Sequence, residues 1–196
     1  MAVKVQQGGH KAAIHTVGAS ALGKMLIRYF KQKGITLINI VRKEEQIEEL
    51  KKEGTDYVLN SQAPDFEIQL KELAEREKAT IAFDAVCGEF TTKILRNQPR
   101  GSITYVYGGL AGPDVLGLGV GDLLQGKSLS GLIVFDFLER LRTMRELPKF
   151  YNEIHELLPT VFKTDIQKVF KLDEINEALA YYQANSSKGK VLIKPN

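Results

Sequence analysis

The strongest constraint on the fold of this chain is a regular alternation of short apolar, β-branched runs with amphipathic stretches, starting at residue 12. Strand patterns fall at residues 12–15, 36–41, 57–59, 80–85, 102–107 and 128–135, and helical patterns at 20–33, 43–53, 65–78 and 89–97. Strands joined through helices by connections of a few residues pair in parallel, because each connection is a right-handed crossover. The pattern therefore predicts an α/β fold, a doubly wound parallel sheet of about six strands. A glycine-rich segment at 108–121 separates the fifth and sixth strands. Beyond it the character changes to a long charged helix over 138–158, a strand at 167–170, a helix at 173–185 and a last strand at 190–193.

Composition narrows the class further. With 196 residues, 43% of them apolar, the chain holds one sizeable core, and no second full-sized domain fits. The formal charge of +3 is mild, and the basic residues interleave with glutamates on helical faces, as at 42–52. That is a solvated face rather than a nucleic-acid surface. The single cysteine, Cys87, excludes an intramolecular disulfide framework and a C-x-x-C metal pair. No histidine stands near Cys87 in sequence to activate it, so it reads as a small buried hydrophobe. His10, His15 and His155 follow no metal-ligand spacing, and no metal site is expected. No apolar run approaches the roughly 20 residues needed to span a bilayer, and residues 1–10 lack a signal-peptide core. The expectation is an intracellular protein, cytoplasmic ahead of mitochondrial, with no membrane or nucleic-acid partner.

The first strand runs into a small-residue turn, His15-Thr16-Val17-Gly18-Ala19-Ser20-Ala21-Leu22-Gly23, that opens a helix. Such a turn lets backbone approach a phosphate, while the helix N-terminus offers free N–H groups and the positive end of its dipole. Strict G-x-G-x-x-G is absent, since those positions hold Thr16, Gly18 and Ala21. The same letters also suit an ordinary helix start capped by Ser20.

An NAD-binding unit carries an Asp or Glu at the end of its second strand, about 20 residues beyond the turn, to bond the ribose 2′-hydroxyl. Here that strand ends in Arg42-Lys43. An arginine fork beside a lysine point charge grips a 2′-phosphate, so the sequence favours NADP over NAD. As plain solvated charges the pair would oppose the dipole of the helix it opens. Tyr107-Gly108-Gly109 follows the fifth strand at the carboxyl edge, where ligands sit in this architecture. Glycines there either permit close approach to nicotinamide or pyrophosphate, or serve turn chemistry alone.

With these residues in hand, the chain resembles the medium-chain dehydrogenase/reductase superfamily, in the branch of quinone oxidoreductases and mitochondrial-type 2-enoyl thioester reductases. The matching pieces are residues 19–23 (Ala-Ser-Ala-Leu-Gly), 34–42, 83–88 (Phe-Asp-Ala-Val-Cys-Gly), 107–110 (Tyr-Gly-Gly-Leu), 129–132 and 189–193, which run in family order over nearly the whole chain. The resemblance implies a Rossmann-type cofactor domain at 11–158, preceded by a tail at 1–10. It implies that 159–196 is the returning C-terminal segment of a catalytic domain whose main part lies outside this sequence. It also implies pyrophosphate contacts at Ser20, Ala21, Leu22 and Gly23, and 2′-phosphate contacts at Arg42 and Lys43. Tyr107, Gly108, Gly109 and Leu110 would lie beside ribose and nicotinamide, Leu132, Ile133 and Val134 near the nicotinamide, and Lys190 at a phosphate or ribose. The family's proton-donating tyrosine belongs to the part not present here, so no catalytic residue is expected in this chain. The implied function is binding of NADPH for hydride transfer to a conjugated carbonyl, quinone or enoyl thioester, with a homodimer formed through the 129–135 edge strand. A non-catalytic nucleotide-sensing or scaffolding module, and a fragment of a zinc alcohol dehydrogenase, remain as alternatives.

Overall fold

The computed structural model describes residues 1–185 and 187–195. Six strands, β1 (Ala12–His15), β2 (Thr36–Val41), β3 (Tyr57–Asn60), β4 (Ile81–Asp84), β5 (Ile103–Val106) and β6 (Ser128–Gly131), form one parallel sheet in the order β3-β2-β1-β4-β5-β6. The sheet grows outward from β1 in one direction and then from β4 in the other. This reversal opens a crevice at the carboxyl ends of β1 and β4.

The strands read as continuous apolar runs because helices cover both faces of the sheet. On one face Ala13, Leu37 and Phe83 meet Leu26, Ile27 and Phe30 of α2 (Ala21–Gln32), together with Val5 of α1 (Ala2–Gln7). On the other, Ile14, Ile38 and Ile40 meet Leu70 of α4 (Phe66–Glu77) and Ile94 of α5 (Gly88–Asn97). Neighbouring Ala13 and Ile14 face opposite ways, as the two-residue period of a strand requires. Helix α3 (Glu44–Lys52) joins β2 to β3 and contributes Leu50 to the first face.

Several elements depart from the sequence expectation. The stretch read as a tail forms α1, whose Ala2 and Val5 are buried, and His10 Nδ1 lies 2.7 Å from Thr80 Oγ1. The glycine-rich segment contains a short helix, α6 (Val120–Leu124), whose Asp122 carboxylate accepts the Gly119 amide at 2.9 Å and pairs with Arg96. Strand β6 stops at Gly131 rather than Phe135. Its partner β5 ends at Val106, so after the Leu132 amide donates to the Val106 carbonyl at 2.9 Å nothing is left to pair. Val134 and Phe135 instead open α7 (Val134–Thr143). The long helix expected at 138–158 is two helices, because Arg145 takes a left-handed φ of 59° and Pro148 opens α8 (Leu147–Leu157), where its missing N–H costs nothing.

The C-terminal segment forms a separate parallel pair, β7 (Ile166–Lys171) with β8 (Lys190–Lys194), connected by a 3₁₀ turn and α9 (Ile175–Asn185). One side chain does much of the anchoring. Arg28 of α2 donates from Nε to the Val161 carbonyl at 2.8 Å and from Nη2 to the Lys163 carbonyl at 2.7 Å, while Nη1 pairs with Glu53 at 2.8 Å. Tyr29 packs on Phe162, ring centroids 5.3 Å apart.

Candidate functional site

The turn after β1 is closely packed. The Gly18 amide donates to the Ile40 carbonyl at 2.9 Å, and the Gly23 amide donates to Ser20 Oγ at 3.0 Å, making Ser20 the N-cap of α2. A Cβ on Gly23 would stand 2.6 Å from the Gly18 carbonyl carbon and closer still to its oxygen, so glycine is what lets the helix start against the turn. The amides of Ala21 and Leu22 take no acceptor among the described residues. They are the unsatisfied donors of the helix start, at the positive end of a 12-residue helix.

Beneath the turn lies a buried polar network that sequence reasoning did not anticipate. The fully buried Asp84 carboxylate, at the end of β4, accepts from Thr16 Oγ1 at 2.7 Å, from the amides of Val86 and Cys87 at 2.9 and 3.0 Å, and from Thr91 Oγ1. These donors come from the β1 turn, the β4 loop and α5, so one carboxylate sets the spacing of both walls of the crevice. Cys87 is buried in that loop with a φ of 68°, its thiol facing the Asp114 carbonyl at 3.3 Å. Next to the network, His15 Nε2 and Tyr107 Oη are hydrogen-bonded at 2.7 Å, with their rings stacked at 9°. Burial without a charged partner lowers the His15 pKa to about 3, and burial, with the Asp84 charge in addition, raises that of Tyr107. Both groups are neutral near pH 7, and His15 Nδ1 has no partner among the described residues.

A cleft of about 600 Å³ runs along the carboxyl ends of β1, β2, β3, β4 and β5, within the size range of cofactor sites. Its lining includes Val17 and Ser20 from the first turn, Arg42 and Gln46 at the start of α3, and Val86 and Leu110 from the loops after β4 and β5. No Asp or Glu is among the described residues that line it, and Arg42 is its one charged side chain. Gln46 Oε1 accepts the amides of Arg42 and Lys43 at 3.1 and 3.2 Å, so the start of α3 is satisfied from within. The Arg42 guanidinium makes no bond among the described residues, whereas Lys43 pairs with Glu45 at 3.6 Å, both exposed.

The structure brings the expected residues together unevenly. Ser20, Arg42 and Leu110 line the cleft, and Ala21 and Leu22 follow Ser20 at the start of α2 without being part of that lining. Gly23 acts in packing. Tyr107 turns its phenol to His15, and Gly108 lies against Ala85, where an added Cβ would stand 3.1 Å from the Ala85 carbonyl oxygen. Gly109 is equally tight, since its Cβ would meet the Gly112 oxygen at 2.7 Å. Leu132 is half-buried after β6, and Ile133 and Val134 are exposed at the start of α7. Lys190 is absent from the cleft lining and lies with its Nζ 5.7 Å from the ring of Tyr182, which does line it. Gln46, Ser61, Gln62, Phe90, Tyr182 and Ser187 carried no local signal, because they reach the cleft only through tertiary folding.

The sheet order, the crevice at its switch point and the open helix start define a Rossmann-type nucleotide-binding fold. Residues 21–150 match the zinc-binding dehydrogenase family, and the chain belongs to it, as the cofactor-binding domain of a medium-chain dehydrogenase/reductase. It is 25% identical to the mitochondrial enoyl-[acyl-carrier-protein] reductase of Dictyostelium discoideum over 97% of this chain and 55% of that protein. A Mesorhizobium loti structure described as an NADPH:quinone reductase superposes with a TM-score of 0.83 at 31% identity, covering 97% of this chain and 55% of that one. The Escherichia coli quinone oxidoreductase in complex with NADPH superposes with a TM-score of 0.79 at 22% identity, covering 94% and 57%, a likeness of fold. The chain spans about half the length of these relatives. Although the family is described as zinc-binding, no group of three or more His, Cys, Asp or Glu among the described residues is arranged to hold a metal ion. No helix among them is long and apolar enough to cross a membrane.

Proposed function

We propose that this chain is the NADPH-binding part of an oxidoreductase acting on a conjugated carbonyl, quinone or enoyl thioester. The observation that carries the reading is Arg42, without a bonding partner among the described residues, at the end of β2 in a cleft whose described lining has no acid. A carboxylate at that position would accept from a ribose 2′-hydroxyl, whereas a free guanidinium fits a 2′-phosphate in a fork. The residues suit the remaining phosphates as well: the amides of Ala21 and Leu22, which take no acceptor among the described residues, lie at the start of α2, and Gly23 lets the turn stand close enough for backbone to reach a ligand. Ser20 holds that helix start, and Lys43 adds charge beside Arg42 once it leaves Glu45.

The loop at Tyr107, Gly108, Gly109 and Leu110 and the segment Leu132, Ile133 and Val134 would border the nicotinamide, which when bound supplies the hydride. The neutral His15 beneath Tyr107 keeps that loop against the sheet. Lys190 would face a phosphate from the C-terminal segment. Residues that donate a proton to substrate would come from outside this chain. Self-association through the exposed edge of β6 and a reducing compartment, suited to the lone buried Cys87, complete the reading.

Calorimetric titration with NADPH and NADH, repeated on Arg42→Ala, tests it. NADPH should bind at least about ten-fold more tightly than NADH, and the variant should lose that preference while keeping its affinity for NADH. Equal affinities in the parent chain would refute the 2′-phosphate assignment, and absence of binding by either nucleotide would favour a non-catalytic scaffold.

A further inference from the structure

Two aromatic rings line the cleft, and they are not equivalent. Phe90 on α5 is stacked on Phe66 at 6.0 Å and 13°, and the pair belongs to the core beneath the sheet. Tyr182 comes from α9 in the C-terminal segment, is 36% exposed, and stacks on no other ring among the described residues. The neighbouring Tyr181 is engaged with Phe170, ring centroids 5.8 Å apart, so α9 is anchored by one tyrosine and presents the next to the cleft. Lys190 Nζ, 5.7 Å from the Tyr182 ring centroid, is placed as a cation on that ring.

The remaining walls sort the ligand. Phosphates belong at the start of α2, where the free amides are, and the phosphorylated ribose belongs at Arg42. Around Arg42 the cleft continues between Ile40, Val86 and Phe90, which are apolar, and Ser61 and Gln62, which offer hydrogen bonds. A flat heteroaromatic group with polar edges fits such a space, and an aromatic ring at its rim that stacks on no other ring among the described residues supplies a stacking face.

We infer that Tyr182 is the stacking residue for the adenine base of the bound nucleotide, so that the C-terminal segment, and not the six-stranded domain alone, builds the base subsite. This rests on the cofactor reading above. The nucleotide then bridges two parts of the chain, with its phosphates on α2 and its base against α9.

The test separates the two halves of the cofactor. Wild type, Tyr182→Phe and Tyr182→Leu are titrated with NADPH, adenosine 2′,5′-bisphosphate and reduced nicotinamide mononucleotide. Tyr182→Leu should weaken NADPH and the adenosine bisphosphate by the same factor, roughly ten-fold, and Tyr182→Phe should hold both within about two-fold. The mononucleotide affinity should not change in either variant. A leucine variant that binds the adenosine bisphosphate like wild type overturns the inference. That leucine result alone leaves the cofactor reading standing, whereas a wild-type protein that binds the mononucleotide but not the bisphosphate overturns the inference together with the 2′-phosphate assignment of Arg42, and binding of none of the three overturns the cofactor reading entirely. Because a substitution in α9 can unfold the segment, wild type is also examined by NMR with the adenosine bisphosphate bound. Nuclear Overhauser contacts between the Tyr182 ring protons and adenine H2 or H8 are expected, and their absence overturns the inference.

Discussion

Part of the acid sensitivity of this protein should be traceable to one imidazole. His15 is fully buried at the end of β1, its Nε2 bonded to Tyr107 and its Nδ1 without a partner among the described residues, and its pKa falls from 6.5 to about 3. The folded state holds the ring neutral, while the unfolded chain takes up a proton once the pH drops below 6.5. The stabilisation is therefore fully present above 6.5 and is lost as the pH falls toward about 3, where the folded state protonates as well. Each pH unit in that window costs about 1.4 kcal/mol, so lowering the pH from about 7.5 to about 4.5 should remove about 3 kcal/mol through this residue. Against a total of about 5–15 kcal/mol for a typical domain, that is a large share. Urea unfolding followed by far-UV circular dichroism, at several pH values on wild type and His15→Gln, isolates the term because the carboxylates titrate alike in both. Wild type should lose stability more steeply than the variant by about 1.4 kcal/mol per unit below about pH 6. Parallel profiles would refute the argument, showing that the ring is solvated or paired in solution.

Two further outcomes follow from packing. Gly23→Ala drives a methyl into the Gly18 carbonyl, so it should cost about 1–3 kcal/mol in urea unfolding and abolish nucleotide binding by calorimetry, with wild-type affinity counting against the close-approach argument. Arg28→Lys replaces a fork that reaches two carbonyls and Glu53 with a single point charge, so hydrogen exchange across 159–185 should quicken while β1 to β5 stay protected; unchanged exchange would mean the segment is held by other contacts.

The alternation of residues 12–107 made five strands and their helices legible in the sequence, because each run is apolar throughout and each intervening stretch carries a clear helical stripe. The sixth strand was overextended. Its apolar letters continue through Ile133, Val134 and Phe135, and only the end of β5 at Val106 shows that pairing must cease. The break within 138–158 was readable from Pro148, yet the charged stripe on either side masked it. At the site, Ser20 and Arg42 were visible because turn chemistry and strand ends have local signatures. The carboxylate of Asp84 was not, since its donors Thr16 and Thr91 are brought together from separate elements by the sheet. Tyr182 carried no signal of its own within the helical pattern at 173–185, and only the placement of α9 brings it to the cleft.

The parallel pairing of β7 with β8 also dictates an order of events during synthesis. Neither strand can find its partner until the 3₁₀ turn, α9 and the loop between them have left the ribosome, whereas β1 to β6 are complete some sixty residues earlier. At translation rates of about 5–20 residues per second, the six-stranded sheet has seconds in which to fold alone. During that interval the end of the cleft at the start of α2 exists and the wall carrying Tyr182 does not, so the nascent chain passes through a stage in which its groove is open on one side.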